Sequence, residues 1–515
     1  MSKKKHIRLS LAIAAAIVVN GCTEVYSSDA PAALCDSRCQ PDALADIAAG
    51  YASIDQMEKA QQLLSQATQT AESLSEQTNF MPDLEEIAIG YAELGQYDEA
   101  LQAIETVDEA KGGAYSSTAQ VMLHRVIQAA IQARDYERAI QLTQTLDPHS
   151  IAMVGSNRYS KAMSFVEIAE AATQAPLSES EEILDQLLTD IRALPPWPAN
   201  QQQIVAAAKL AENYDEIDRL ERAQQILDEA TQQLNEQAPD SFEFVDIAQS
   251  YIQIGQLQRA EQLLDRAYQQ ILQGRAYLPS AFPSEVSFKA VVGYVQAGQE
   301  TKAMDLLNQM AVAVKGDSVN PTDRYKGLDW LANTYIALEM YDQALQTIEL
   351  KYQWYPRTEA QMAVQGQSGW EVPEVELASQ YAKLGEHEKA ARVANLGRTE
   401  SDRTAALLAM AHSYAEAGEY NRALQAAELL ENPTSDDVLV DLQVEVITAV
   451  ARQAATAESP DQAAQILEAA LQQAEPIDRP EQKIAALSAL SIQYATAQQP
   501  DQAADLLEQS LNLIE

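Results

Sequence analysis

The sequence predicts an all-α protein, a superhelical α-solenoid of about twelve stacked helical hairpins, and three observations predict it. The composition is 47% hydrophobic but only 6% aromatic, rich in Ala, Leu and Gln, and no run alternates Val, Ile and Thr as strands do. The stretch Ile87–Ile104, IAIGYAELGQYDEALQAI, carries two apolar faces around a turn: Ile87, Ala88, Tyr91 and Leu94, then Ala100, Leu101 and Ile104. Gly95 stands where a helix commonly ends in a left-handed residue, and Asp98 and Glu99 open the next helix, whose dipole favours acids there. The third observation is that this hairpin recurs to the end of the 515-residue chain, which is long for a single globular core.

Taken in order, the chain begins with a targeting signal, residues 1–21. Lys3, Lys4, Lys5 and Arg8 precede an apolar run, Leu9–Val19, that is short for a membrane span. Val19-Asn20-Gly21-Cys22 follows and resembles a bacterial lipobox; the resemblance implies cleavage before Cys22 and lipidation of that residue. An uncleaved helix or an ordinary secretory signal are the alternatives. Thr23 after the cysteine points to the outer membrane by the sorting convention of such lipoproteins, with the protein facing the periplasm.

Loss of the signal removes four basic residues and no acid, moving the formal net charge from −41 to −45. Such an excess repels nucleic acid and anionic headgroups and keeps a long helical array soluble. Residues 22–40 read as a lipidated tether. They hold Cys35 and Cys39, whose CxxxC spacing has no third ligand nearby; in an exported protein such a pair points to a disulfide, with free thiols as the alternative.

From there the hairpin is aligned on a Tyr and on an Ala nine residues later. Nine copies keep both: Tyr51 with Ala60, Tyr91 with Ala100, Tyr214 with Ala223, Tyr251 with Ala260, Tyr294 with Ala303, Tyr335 with Ala344, Tyr381 with Ala390, Tyr414 with Ala423 and Tyr494 with Ala503. Ala130 with Ala139, Ala454 with Ala463 and a weak Ala172 with Glu181 complete the set. Two irregularities divide the array. Ala193-Leu194-Pro195-Pro196-Trp197-Pro198 cannot be helical throughout and suggests a joint between solenoid segments 41–194 and 199–515. Residues 351–373 read as an aromatic-rich insertion containing Tyr352, Trp354, Tyr355 and Trp370, with Tyr325 and Trp330 just before it.

The pattern resembles the tetratricopeptide repeat (TPR), in the run Ile247-Ala248, Tyr251, Gly255, Ala260, Leu264 and Ala267 among others; the spacing, usually longer than that family's, leaves room for a HEAT-like helical pair. The resemblance implies a concave groove lined by first helices, to which Glu212, Gln249, Phe288, Asn333 and His412 correspond. Asn333 matches one position of the carboxylate clamp of some TPR proteins, but Asp329 stands where that clamp needs Lys, so a basic or neutral polypeptide is the expected partner.

No GxSxG, no phosphate-cradling glycine loop and no HExxH is present, and His124, His149, His387 and His412 fall in different repeats. The expectation is therefore a non-enzymatic, membrane-anchored scaffold of envelope proteins, without cofactor, metal or nucleic acid. The alternative is a carrier or sensor holding a glycan or other small ligand on the aromatic patch. The candidate binding residues are Trp330, Tyr352, Trp354, Tyr355, Trp370, Phe288, Asn333 and His412.

Overall fold

The computed structural model describes residues 40–514, apart from segments 79–83, 111–116, 147–151, 155–156, 195–200, 237–240, 273–284, 315–320, 355–371, 398, 431–435 and 457–459. The signal segment, Cys22, Cys35, Cys39, Tyr355 and Trp370 lie outside the described residues. Within them are twenty-four α-helices in twelve hairpins.

Hairpin 1 pairs Gln40–Ser53 with Met57–Thr78, hairpin 2 Glu85–Glu93 with Tyr97–Ala110, and hairpin 3 Ser117–Gln132 with Tyr136–Thr145. Hairpin 4 pairs Lys161–Ala172 with Leu177–Ala193, hairpin 5 Gln201–Glu216 with Leu220–Glu236, and hairpin 6 Ser241–Gln253 with Leu257–Leu272. Hairpin 7 is Glu285–Gln296 with Glu300–Val314, hairpin 8 Pro321–Ala337 with Tyr341–Trp354, and hairpin 9 Pro373–Lys383 with His387–Ala394. Hairpin 10 is Glu400–Glu416 with Tyr420–Gln425, hairpin 11 Asp436–Arg452 with Pro460–Ala474, and hairpin 12 Pro480–Thr496 with Pro500–Ile514. Each corresponds to one Tyr/Ala pair read from the sequence.

The turn chemistry explains the Tyr slot. In ten hairpins the residue five beyond that slot donates its N–H to the slot's own carbonyl, as Gln96 does to Tyr91 at 2.8 Å and Gln256 to Tyr251 at 2.7 Å. This is the long bond of the Schellman motif, and it needs a left-handed residue between. Gly95, Gly255, Gly298, Gly385 and Gly418 supply it. Where glycine is lost the conformation is kept, by Asp55, Arg134, Asp218, Glu339 and Gln498, all at φ near +60°.

Hairpin 4 departs from the rule. Its turn, Thr173–Pro176, is longer, and the small residue on its second helix is Ser180, whose hydroxyl donates to the Ala172 carbonyl at 2.8 Å. Glu181, aligned with that slot in the sequence, instead points outward to Arg219. Two short strands, Ala152–Val154 and Asn157–Tyr159, pair antiparallel between hairpins 3 and 4; the sequence pattern had not foreseen them. Residues Lys351–Trp354, read as the start of an insertion, complete the second helix of hairpin 8.

Ala60, Ala100, Ala139, Ala223, Ala260, Ala303, Ala344, Ala390, Ala423 and Ala503 are fully buried. A side chain of one carbon lets the paired helices close to within about 8–10 Å. The Tyr rings fill the space beside them; Tyr51, Tyr214, Tyr251, Tyr294 and Tyr381 are among the largest fully buried side chains. Their hydroxyls tie consecutive hairpins together. Tyr214 donates to Asp185 at 2.7 Å, Tyr251 to Asp228 at 2.8 Å and Tyr294 to Asp265 at 3.0 Å. In each case a cation eight residues after the Tyr, Arg222, Arg259 or Lys302, covers the ring and pairs with the same Asp. Hairpin 5 packs on hairpin 4, so the core is continuous on both sides of residues 195–198.

The array, one unit from Leu34 to Glu515, closes on itself. Each first helix packs on the next first helix, from hairpin 1 through hairpin 12, and Pro480–Thr496 then packs on Gln40–Ser53. Each second helix packs on the following first helix, and Pro500–Ile514 likewise packs on Gln40–Ser53. Ile484 and Leu507 accordingly belong to the same apolar cluster as hairpin 1. Because first helices touch all the way round while consecutive second helices touch little, the first helices form the inner wall and the second helices the outer one. Twelve neighbours at about 9 Å spacing give an inner ring roughly 35 Å across between axes, and subtracting one helix diameter leaves an opening of about 25 Å.

Candidate functional site

The inner wall is polar where it is not used for packing, and its bonds run between residues about one repeat apart. Arg125 on hairpin 3 pairs with Glu85 and Glu86 on hairpin 2. Gln128 donates to Glu167 on hairpin 4 at 2.7 Å, Ser250 to Glu212 on hairpin 5 at 2.5 Å, and Lys289 to Asp246 on hairpin 6 at 2.9 Å. Gln482 donates to Asp441 at 3.1 Å.

Carboxylates dominate this wall and crowd one another. Burial, with Glu86 and Glu93 on the neighbouring helix, raises the Asp46 carboxyl to about 7. Burial and Glu170 raise Glu167 to about 7 against the opposing Gln128 bond and Lys209, and burial with Asp441 does the same for Glu445. Glu212 is also raised, by burial first, against its bond from Ser250. Among the described residues no group of three or more His, Cys, Asp or Glu is placed to hold a metal.

The second feature is a buried charged cluster at hairpins 8 and 9. Lys351 is 1% exposed, and its ammonium donates to Asp329 at 2.6 Å and to Glu374 at 2.6 Å. Tyr352 donates to the same Glu374 oxygen at 2.6 Å, and the rings of Tyr325 and Tyr352 stand over the ammonium. Burial works against the Lys351 charge, but Asp329 and Glu374 outweigh it and hold the ammonium above the usual lysine range. Burial works against the Glu374 charge as well, but Lys351, with the Tyr352 bond, holds that carboxyl below the usual carboxylate range.

The sequence-chosen residues are distributed around these two features. Phe288 and Trp330 stack at 5.9 Å between centroids, Trp330 being buried. Asn333 is buried one turn further along the same helix, and Tyr352 is committed to Glu374. Trp354 is 37% exposed, with the Arg324 guanidinium 5.5 Å from its ring. His412 is half-buried on hairpin 10, its imidazole lowered by burial and then by Arg452, and it is not gathered with the aromatics. His124 is buried, bonded to Ser164 and lowered to about 4 by burial, so it stays neutral beside Glu167. His387 meets the Tyr414 hydroxyl at 3.1 Å. An open cleft of about 420 Å³ lies elsewhere, between hairpins 11 and 12, lined by Gln465, Glu468, Gln472 and Tyr494.

Asp329 does not match the clamp lysine because its partner, Lys351, comes from the second helix of the same hairpin, a pairing that spacing along the first helix does not display. The cation that precedes the small residue, as in Lys59, Arg138, Arg222, Arg259, Lys302, Lys389 and Arg422, was a legible signal that went unused.

These features define a class, an α-solenoid of TPR-like helical hairpins. No protein family description matches the chain, and no curated protein does. Among solved structures 106 chains match. Ton1535 from Thermococcus onnurineus is 16% identical, covering 75% of this chain and 97% of its own, with a TM-score of 0.26. Yeast Tom70 is 13% identical over 92% of each chain, with a TM-score of 0.24. The pentatricopeptide repeat protein PPR10 from maize is 13% identical over 87% and 71%, with a TM-score of 0.21.

Proposed function

We propose that the protein is a non-enzymatic scaffold of the bacterial cell envelope, anchored through Cys22, that holds a basic or neutral polypeptide segment against its inner wall. The observation that supports this reading is the wall itself: the first helices of hairpins 1, 2, 4, 5 and 11 carry Asp46, Glu86, Glu93, Glu167, Glu170, Glu212 and Glu445, most of them half-buried and crowding one another. An opening of about 25 Å admits an extended chain or a helix, and focused negative potential favours lysine and arginine side chains. No helix among the described residues is long and apolar enough to cross a membrane, so membrane attachment rests on the lipobox-like Gly21-Cys22.

A lysine-rich peptide is the probe. Because the wall carboxylates titrate above the usual range, their charge grows between about pH 5 and pH 8, and peptide affinity should rise over that interval. Asp46→Asn with Glu167→Gln and Glu445→Gln should weaken binding at pH 8 by about tenfold and flatten the pH profile. Equal affinity at both pH values in the parent protein sinks the reading. The anchor is tested separately: a labelled fatty acid should be incorporated in the parent and lost in Cys22→Ala.

The second reading, a carrier or sensor of a glycan, rests on Trp354, the one described member of the aromatic set that is exposed beside a cation, Arg324. Trp354→Ala should then abolish retention on an oligosaccharide resin and leave lysine-peptide binding intact.

A further inference from the structure

The joint that closes the ring uses the same register as joints inside it. At hairpin 2, Gly90 precedes the slot residue Tyr91 and receives Leu64, four residues after Ala60 of hairpin 1; a Cβ on Gly90 would lie 2.7 Å from that Leu64 methyl. At hairpin 7, Gly293 precedes Tyr294 and receives Leu264, four residues after Ala260, at 3.0 Å. At hairpin 1, Gly50 precedes Tyr51, and the leucine seated against it is Leu507, four residues after Ala503 of hairpin 12. Hairpin 12 therefore stands to hairpin 1 as hairpin 1 stands to hairpin 2.

One thing differs. Every other joint is bridged by chain, from four residues between Glu236 and Ser241 to eighteen between Trp354 and Pro373, which caps how far the two sides can part, tightly at the short links and loosely at the longest. Among the described residues no chain spans the joint of hairpins 12 and 1, where Gly50, Leu507 and the Ser491 side chain meet. For joints alike in packing, the tether decides how far the two sides could part, and the untethered one has the widest range open to it without unfolding either hairpin.

We propose that the seam between hairpins 12 and 1 is a gate, the place where the ring opens to let a polypeptide segment with no free end reach the inner wall. The access route rests on the inner-wall reading above; the opening does not.

The geometry supplies a lock. A Cβ at position 50 would stand 2.8 Å from the Ser491 Oγ, which suits a disulfide between Gly50→Cys and Ser491→Cys. The experiment uses the full chain with Cys22, Cys35 and Cys39 changed to Ser. Spin labels at Asp55 and Gln498, on the turns of hairpins 1 and 12, report the seam; labels at Asp55 and Gly95 report the internal joint of hairpins 1 and 2. The expected result is a second, longer distance for the seam pair alone, abolished when the lock is oxidised. Two peptide probes follow, a linear lysine-rich peptide and the same segment fused between two folded proteins too wide for the opening. Oxidation should slow capture of the blocked probe at least tenfold and leave the linear one unchanged.

A single distance at the seam, or equal capture of the blocked probe with the lock closed, overturns the gate. If neither probe binds the unlocked ring, the inner-wall reading falls and the distances alone decide the opening. Should Gly50→Cys fold poorly, labels in the otherwise unaltered chain give the same comparison of seam with internal joint.

Discussion

Two joints of the ring solve the same problem in opposite ways. Between hairpins 8 and 9 the connection is long, residues 355–372, and a loose link would leave the joint weakly held. There the chain buries Lys351 between Asp329 and Glu374, with Tyr352 donating to the same Glu374 oxygen as Lys351. Between hairpins 12 and 1 no link joins the described residues, and packing alone makes the joint: Pro480–Thr496 and Pro500–Ile514 lie on Gln40–Ser53, with Leu507 and Ser491 seated against Gly50. A buried ion pair is specific but costly to break halfway, whereas an apolar contact is separable at a cost set by its area. The comparison teaches that the clasp fixes geometry where the chain cannot, and the seam leaves geometry free where the chain permits it.

The largest effect is expected at the clasp. Lys351→Met leaves Glu374 and Asp329 in an apolar setting without their cation, and should cost about 3–5 kcal/mol. Chemical denaturation measures it. Replacing Lys351 and Glu374 together by Met and Leu should recover much of that loss, because both charges then leave. The pair also predicts a pH response. Lys351 is raised, so its contribution is present at neutral pH and lost only as pH climbs through its elevated value. Glu374 is depressed, so its contribution is present above the ordinary carboxylate range and lost as pH falls through its lowered value. Between about pH 5 and pH 9 the pair's contribution to the parent should therefore be constant, whereas in Lys351→Met burial raises the uncompensated Glu374 carboxyl, which takes up a proton as pH falls, so the cost of the substitution should shrink toward pH 5. A cost as large at pH 5 as at pH 9 would show that the pair is not charged as described.

At the seam a smaller cost should produce a larger change of shape. Gly50→Leu places a side chain where Leu507 and Ser491 already sit, and overpacking of this kind costs about 1–3 kcal/mol. Hairpins 1 and 12 keep their internal cores, so the helical signal should hold while small-angle scattering shows an increased radius of gyration. The matching change at an internal joint, Gly90→Leu against Leu64, should cost a similar amount with little expansion, since the connection after Thr78 holds the two sides together. Equal expansion in both variants would mean that the tether is not what distinguishes the joints.

The sequence already displayed what repeats and little of what does not. Eleven of the twelve aligned pairs, the five glycine turns and the restart at Tyr97 follow from helical spacing and turn chemistry, both local; hairpin 4, where Ser180 takes the place of the aligned Glu181, does not. The non-glycine turns at Asp55 or Glu339 were hidden because the Schellman geometry can be imposed by its neighbours at a modest cost. Closure was hidden for a different reason: curvature is a small rotation summed over twelve joints, and no single residue encodes the sum. A trace of it is present, since Gly-Tyr occurs at 50 as at 90 and 293, the two other positions where a leucine from the neighbouring hairpin is seated against the glycine. The clasp was illegible because Lys351, Asp329 and Glu374 lie on three helices whose relative placement no spacing rule supplies. Of the candidate binding residues, the sequence gathered the aromatics by proximity in number; the fold commits Trp330 and Tyr352 to packing and leaves Trp354 exposed.

The smallest effect separates a gate from a fraying end. Gln498 turns hairpin 12 in the left-handed region at φ 60, where a side chain costs about 1 kcal/mol or more. Gln498→Gly relieves that strain and should stabilise hairpin 12 internally by about 1 kcal/mol. The residue lies on the turn, away from Leu507 and Ser491, so the seam contacts are unchanged. If the ring opens by rigid separation, hydrogen exchange through unfolding within residues 480–514 should slow several-fold while the long-distance fraction between labels on hairpins 1 and 12 stays the same. For this measurement the hairpin 12 label moves to Asp501, an exposed position on its second helix. If the long-distance fraction instead falls in step with exchange, the separation seen at the seam is hairpin 12 unravelling, and the joint does not act as a gate.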